Sequence, residues 1–268
     1  MTDMRIIKKA VDVFLEALFP SGIYCISCGS LITPDRTYSL CDRCIRQLHW
    51  ITGRTCSICG KALQDTYRGS ICYSCLTRSH DFDRGYSCLT YGMHERELIF
   101  GLKYNGRGYL GRIFGDMIYD RISLENLSAD VIIPVPVHRS RERRRGYNQA
   151  GIIADSLSEH AGIPADSRSL IRVRETQRLR GLDPLEREDV LEGAFAVRPD
   201  RCGRVEGRRI FLVDDIMTTG ATADACSRVL RDAGASQVIF LSLASGSNRR
   251  PADLDKPDGD AGISTVHM

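Results

Sequence analysis

Apolar residues Ile6, Ile7, Ala10, Val11, Phe14, Leu15 and Leu18 recur at the three- and four-residue intervals of one helix face. Asp12 and Glu16 interrupt that run and no small-residue cleavage site follows, so residues 1–22 read as a docked amphipathic helix and not as a targeting segment. From about Tyr86 the texture changes. Helical patterning covers 98–104 and 111–122, separated by Asn105-Gly106-Arg107-Gly108. A short strand-like run, Val131-Ile132-Ile133, ends in Pro134-Val135-Pro136, and a helix is predicted from about Tyr147 to His160. An arginine-rich segment from Arg168 to Glu192 reads as irregular. The apolar run Arg209-Ile210-Phe211-Leu212-Val213 then precedes a helix near Ala221–Ala233, which Gly234 stops, and a last strand at Gln237–Leu243. Strands alternating with helices predict an α/β fold, a parallel sheet covered on both faces. The expected organisation is an N-terminal helix (1–22), a cysteine-rich module (23–85), a main domain (86–246) and a disordered polar tail (247–268). No stretch approaches the roughly 20 apolar residues of a membrane helix, and a soluble cytoplasmic protein is expected.

The cysteines sharpen the picture of the module. Eight of eleven fall in four CxxC pairs: Cys25/Cys28, Cys41/Cys44, Cys56/Cys59 and Cys72/Cys75. Shifting the first four by 31 residues lands on the second four, so the module is a tandem repeat. Two CxxC turns supply the four soft ligands of a closed tetrahedral Zn²⁺ site, which predicts two structural zinc ions, with iron–sulfur as the alternative. A secreted disulfide framework lacks its signal peptide, and thioredoxin-type chemistry uses one CxxC, not four in register. Equal 12-residue spacers allow sequential pairing or an interleaved cross-brace, the sequential form being favoured. Cys88, Cys202 and Cys226 stand alone and are expected to be small buried apolar residues.

Charge adds less. The net charge of +3 does not announce nucleic-acid binding, and 43% apolar residues suffice for one good core and a satellite. The basic residues are nearly all arginine, lysine standing only at Lys8, Lys9, Lys61, Lys103 and Lys256. Arginine suits phosphate oxygens, although a GC-rich genome produces the same bias. One cluster stands out: Arg139, Arg141, Arg143, Arg144 and Arg145 crowd just after the first core strand. It reads as a solvated basic loop or helix start, as a phosphate-neutralising group, or as a nucleic-acid contact. Tyr104, Tyr109 and Tyr147 are candidate stacking partners for single strands by sequence position.

The most specific segment runs Ile210-Phe-Leu-Val-Asp-Asp-Ile-Met-Thr-Thr-Gly-Ala-Thr222. A buried parallel strand delivers Asp214 and Asp215 to its carboxyl end, where α/β proteins place ligands. Met217, Thr218, Thr219, Gly220, Ala221 and Thr222 then lead into a helix whose first N–H groups and hydroxyls form a phosphate cradle. Carboxylates just upstream can accept from ribose 2′- and 3′-hydroxyls. A Walker B strand also ends in acidic residues, but it requires a GxxxxGK[ST] loop that this chain lacks.

LVDDIMTTGAT resembles the phosphoribosyl pyrophosphate (PRPP) signature of type I phosphoribosyltransferases. Together with the paired cysteines, Leu102-Lys103-Tyr104, Ile133–His138, Arg145–Gln149, Gln177 and Gly193-Ala-Phe195, it makes the chain from about Ile23 to Ala244 resemble the ComF family of competence-associated proteins. The resemblance implies a phosphoribosyltransferase-like sheet behind a zinc module. It implies PRPP with Mg²⁺ at Asp214, Asp215 and 217–222, a pyrophosphate loop at Val137, His138 and Arg139, and a mobile lid at 172–187. Asp189, where the family commonly carries Asn, departs from the pattern. Two functions follow: transfer of phosphoribosyl to an unknown acceptor, or non-catalytic binding of PRPP or single-stranded DNA in handling incoming DNA, with Arg143, Arg144 and Arg145 as phosphate contacts and uptake proteins docking on the zinc module. The zinc module is expected to be separate, so that metal removal leaves ligand binding partly intact.

Overall fold

The computed structural model describes residues 22–104, 106–176 and 184–248. The expected N-terminal helix and polar tail lie almost wholly outside these residues. Among the described residues the main sheet has four strands: β1 (Arg84–Thr90), β2 (Val131–Pro134), β5 (Arg209–Met217) and β6 (Gln237–Ser245), in the order β1-β6-β5-β2 and all parallel. Two short strands, β3 (Leu170–Arg172) and β4 (Phe195–Val197), pair antiparallel beside it. The central strands β5 and β6 carry near-continuous apolar runs because both of their faces are covered.

Strand alternation divides the core in two. Phe211 and Val213 face α3 (Met93–Tyr104), α4 (Leu110–Leu124) and α6 (Gln149–Ala161), whose Leu102, Phe114 and Ile153 fill that side. Ile210 and Leu212 face the opposite side, where α8 (Ala221–Asp232) packs with Phe195 and Leu191. Leu191 closes α7 (Pro184–Leu191), so the 168–192 segment, expected to be irregular, holds both β3 and a helix. The arginine cluster forms a short helix, α5 (Arg139–Arg145), stopped by Gly146 at φ 87°.

The cysteine module is built into both halves of this core. Cys25 and Cys44, the latter on α1 (Asp42–Gln47), join the cluster under α3 and α4. Cys56, Cys59, Cys72 and Cys75, the last on α2 (Tyr73–Thr77), join the cluster under α8. The segment between the two repeats lies antiparallel along the outer edge of β1. The Ile51 N–H donates to the Cys88 carbonyl and the Thr90 N–H to the His49 carbonyl, both at 2.8 Å. Gly60 presses so closely on β1 that a Cβ there would sit 2.2 Å from the Gly85 carbonyl oxygen. The expectation of a separable module therefore fails: the repeats satisfy a sheet edge that would otherwise be open. β1 itself went unseen in the sequence because Arg84-Gly-Tyr-Ser-Cys has no β-branched run.

Candidate functional site

β2 and β5 are neighbours in register, Pro134 opposite Val213, and the Val135 N–H donates to the Val213 carbonyl at 2.8 Å. Their carboxyl ends therefore release residues 135–139 and 214–220 side by side at one edge of the sheet. After Met217, which is buried, the chain turns through Thr218 and Thr219 to Gly220, whose φ of 92° only glycine adopts without strain. A shallow cavity of about 30 Å³ is lined by Asp214, Met217, Thr218, Thr219, Gly220 and Thr222. Its floor is the first turn of α8, where the backbone N–H groups that open a helix favour an anion.

Asp214 lines this cavity, and Asp215 follows it on β5. The Asp215 carboxylate is nearly buried and meets Lys103 Nζ at 2.8 Å, and its N–H donates to Asp214 Oδ1 at 2.8 Å. Burial, with the adjacent Asp215 charge adding to it and Lys103 opposing, pushes the Asp214 carboxyl up to about 7 from its usual 3.8. Burial works against the Lys103 ammonium as well, but Asp215 more than offsets this and its pKa is raised. The Tyr147 hydroxyl holds the end of α3 in place by donating to the Leu102 carbonyl at 2.6 Å. Lys103 is a site residue to which the sequence pattern assigns no role. The available signal was its rarity, a lone central lysine in an arginine-rich chain.

Among the basic residues the structure discriminates. His138 caps α5, its Nδ1 accepting from the Ser140 N–H at 3.3 Å. Arg141 donates to the Thr176 carbonyl and Arg145 to Gln149 Oε1, whereas Arg139, Arg143 and Arg144 are exposed. Val137, His138, Arg139, Arg168, Arg172 and Arg198 line an open cleft of about 840 Å³ beside the turn. Arg172 stacks over Phe195 at 5.1 Å; burial, then the Arg141 charge, lowers its pKa. Of the candidate stacking tyrosines, Tyr109 is exposed, while Tyr147 is half-buried and spends its hydroxyl on Leu102.

The eight paired cysteines gather sequentially, as 25/28/41/44 and 56/59/72/75, with all four sulfurs of each set within 4.8 Å of one another. Sγ–Sγ distances of 3.8 Å (Cys28–Cys41) and 3.6 Å (Cys59–Cys72) match the edge of about 3.8 Å for a tetrahedron with Zn–S bonds of about 2.3 Å. Backbone N–H groups of Cys41 and Cys72 donate to Cys25 and Cys56 sulfurs, as thiolates require. The Ser30 hydroxyl and N–H hold Cys28 down to about 5. Both sets fit structural zinc, with no ligand position left open. Cys88 and Cys226 are buried as expected; Cys202 is exposed on a 3₁₀ turn at Pro199–Arg204, where no apolar face covers it.

A second unforeseen feature lies behind the phosphate-type loop. Asp224, buried on α8, receives His80 Nδ1 at 3.0 Å and the Asp81 N–H at 3.1 Å. The His80 ring stacks on Phe82 at 4.5 Å, and its Cε1 lies 2.7 Å from where a Gly220 Cβ would be. His80 has no motif to announce it.

Residues 115–262 match the family model of the phosphoribosyl transferase domain, and residues 14–76 that of the double zinc ribbon domain. The class is thereby defined: a phosphoribosyltransferase-type fold fronted by a double zinc ribbon. Relatives of similar length narrow it. Competence protein F of Haemophilus influenzae is 30% identical over 225 residues, 82% of this chain and 96% of its own. Competence protein ComFC of Bacillus subtilis is 27% identical over 82% of this chain and 94% of its own, and DNA utilization protein YhgH of Salmonella typhimurium 27% over 76% and 88%. The chain belongs to the ComF family. Among solved structures, a B. subtilis glutamine PRPP amidotransferase aligns over 49% of this chain and only 25% of its own, at 24% identity and a TM-score of 0.34.

Proposed function

We propose that the chain binds PRPP with Mg²⁺ at the carboxyl edge of the sheet and transfers its phosphoribosyl group to a nucleophilic acceptor. The observation that carries this reading is the convergence of the 217–222 cradle, the Asp214/Asp215 pair and the 137–139 turn on one edge. The cradle takes the 5′-phosphate, the carboxylates take the ribose hydroxyls, and Val137, His138 and Arg139 border the pyrophosphate. The C1′–O bond breaks with its electron pair leaving on pyrophosphate, and the acceptor's lone pair, on nitrogen in the simplest case, forms the new bond to C1′. Orientation and stabilisation of the growing pyrophosphate charge supply the catalysis. Calorimetry of PRPP–Mg²⁺ binding tests it: micromolar affinity in the wild type, abolished in Asp214→Asn/Asp215→Asn. Absence of binding to folded, zinc-loaded wild type refutes it.

A second reading is DNA handling in the cytoplasm, with strand phosphates on the exposed Arg143 and Arg144 and protein partners on the ribbons. The names of the relatives and the arginine-lined cleft favour it. It requires single-strand binding whose log K falls with log salt, and Arg143→Gln/Arg144→Gln should reduce that slope by about one unit for each phosphate no longer neutralised. Salt-independent binding excludes it. Among the described residues, no helix is long and apolar enough to cross a membrane.

A further inference from the structure

We propose that His80 and Asp224 form a positioning pair through which the second zinc ribbon holds the 217–222 loop in its phosphate-accepting shape. The inference rests on reading that loop as the 5′-phosphate site. His80 follows the last ligand of the second ribbon, Cys75, by only five residues. Its side chain is 3% exposed and that of Asp224 6%, so neither serves as a solvated surface group. Both Asp224 oxygens face His80 Nδ1 at 3.0 Å, and Arg78 approaches the same carboxylate at 3.8 Å.

Asp224 is the fourth residue of α8, one turn beyond Gly220, and its backbone N–H donates to the Gly220 carbonyl at 2.8 Å. The His80 ring occupies the space that a side chain at residue 220 would need, closing the loop from behind. Three further contacts fix the ribbon's exit segment to the same helix and to the strand beside it. Arg231 Nε donates to the Asp81 carbonyl at 2.6 Å, Arg228 pairs with Asp81 at 2.9 Å, and Phe82 stacks on Phe240. The Tyr73 N–H on the ribbon donates to Asn248 Oδ1 at 3.0 Å, just past the end of β6. The first ribbon packs on the opposite face of the sheet and has no such route to the loop among the described residues. Metal held by the second ribbon thus supports the phosphate loop, and metal held by the first does not.

The test uses the full zinc-loaded chain, with ribose 5-phosphate and inorganic pyrophosphate as separate calorimetric probes. His80→Ala and Asp224→Ala should each weaken ribose 5-phosphate by about tenfold or more, because misplacing a binding loop by an ångström carries penalties of that order. Pyrophosphate, bound by the neighbouring turn, should be unaffected, and zinc content should stay at two per chain. The double variant should bind no more weakly than either single one, since the two residues act as one device. Asp224→Asn, which keeps the acceptor for Asp81, should recover part of the affinity. In parallel, Cys59→Ser should weaken ribose 5-phosphate and Cys28→Ser should not. Wild-type affinity for ribose 5-phosphate in His80→Ala, or equal weakening of both probes, overturns the positioning role alone. A wild type that binds neither probe overturns the reading of the loop, and this inference with it.

Discussion

Replacing Lys103 by Met removes the ammonium from Asp215 while keeping most of the aliphatic stem. The missing partner sits at 2.8 Å, where an effective dielectric of about 20 gives roughly 6 kcal/mol of attraction before desolvation is subtracted. Breaking a buried pair from one side costs about 3–5 kcal/mol in general. The Asp215 side chain is only 5% exposed, so the freed carboxylate stays largely buried and a loss of about 3 kcal/mol is expected. For a domain of this size that lowers Tm by roughly 5–10 °C. The loss should depend on pH in a definite direction. Asp214 in the fold sits at about 7 against 3.8, so the folded chain holds a proton the unfolded chain releases, and the wild type loses stability as pH rises from about 4 to about 7. Without Lys103 the two carboxylates repel unopposed. The extra loss should therefore be largest above pH 7 and smallest near pH 5, where Asp214 is protonated. Urea unfolding at pH 5 and pH 8, with zinc content held constant, measures both effects. Lys103→Met/Asp215→Asn should regain most of the stability at pH 8. Equal loss at both pH values, or no regain in the double variant, refutes the reasoning.

Asp214→Asn should flatten the wild-type decline in stability between pH 4 and 7; an unchanged slope would assign that decline to other groups. Because the ribbons share both hydrophobic clusters, chelating zinc should release hydrogen-exchange protection in β1 as well as in residues 22–80, whereas a module that melts alone would leave β1 protected. Gly60→Ala should cost about 2–4 kcal/mol and weaken zinc retention, since φ is 72° and the new Cβ would meet the Gly85 carbonyl at 2.2 Å; a cost below about 1 kcal/mol in urea titration would contradict the close docking of ribbon on strand.

The sheet's centre was legible in the sequence because β5 and β6 are buried on both faces and so carry the apolar runs 210–213 and 238–241. The cysteine repeat and the loop from Asp214 to Thr222 were legible because ligand spacing and close backbone approach tolerate few residue types. What stayed hidden depends on long-range packing. β1 takes its strand character from β6 and from the segment between the ribbons, not from its own composition. Lys103, His80 and Asp224 acquire their partners only when α3, the ribbon exit and α8 are brought to one sheet edge. Cys202 was misjudged because a lone cysteine carries no pattern to say which way it faces.

The strand order has a consequence for how the chain is made. β1 is paired with β6, and the bond between Ser87 and Ser242 spans 155 residues. During synthesis the ribbons and β1 emerge early and wait with one side unsatisfied until the last strand arrives, a wait of the kind that exposes intermediates to aggregation. Among the described strands, β6 alone joins β1, and with it the ribbon pressed on that edge, to β5 and β2. A chain that stops short of residue 237 therefore lacks the keystone between its two halves and cannot close into a single body.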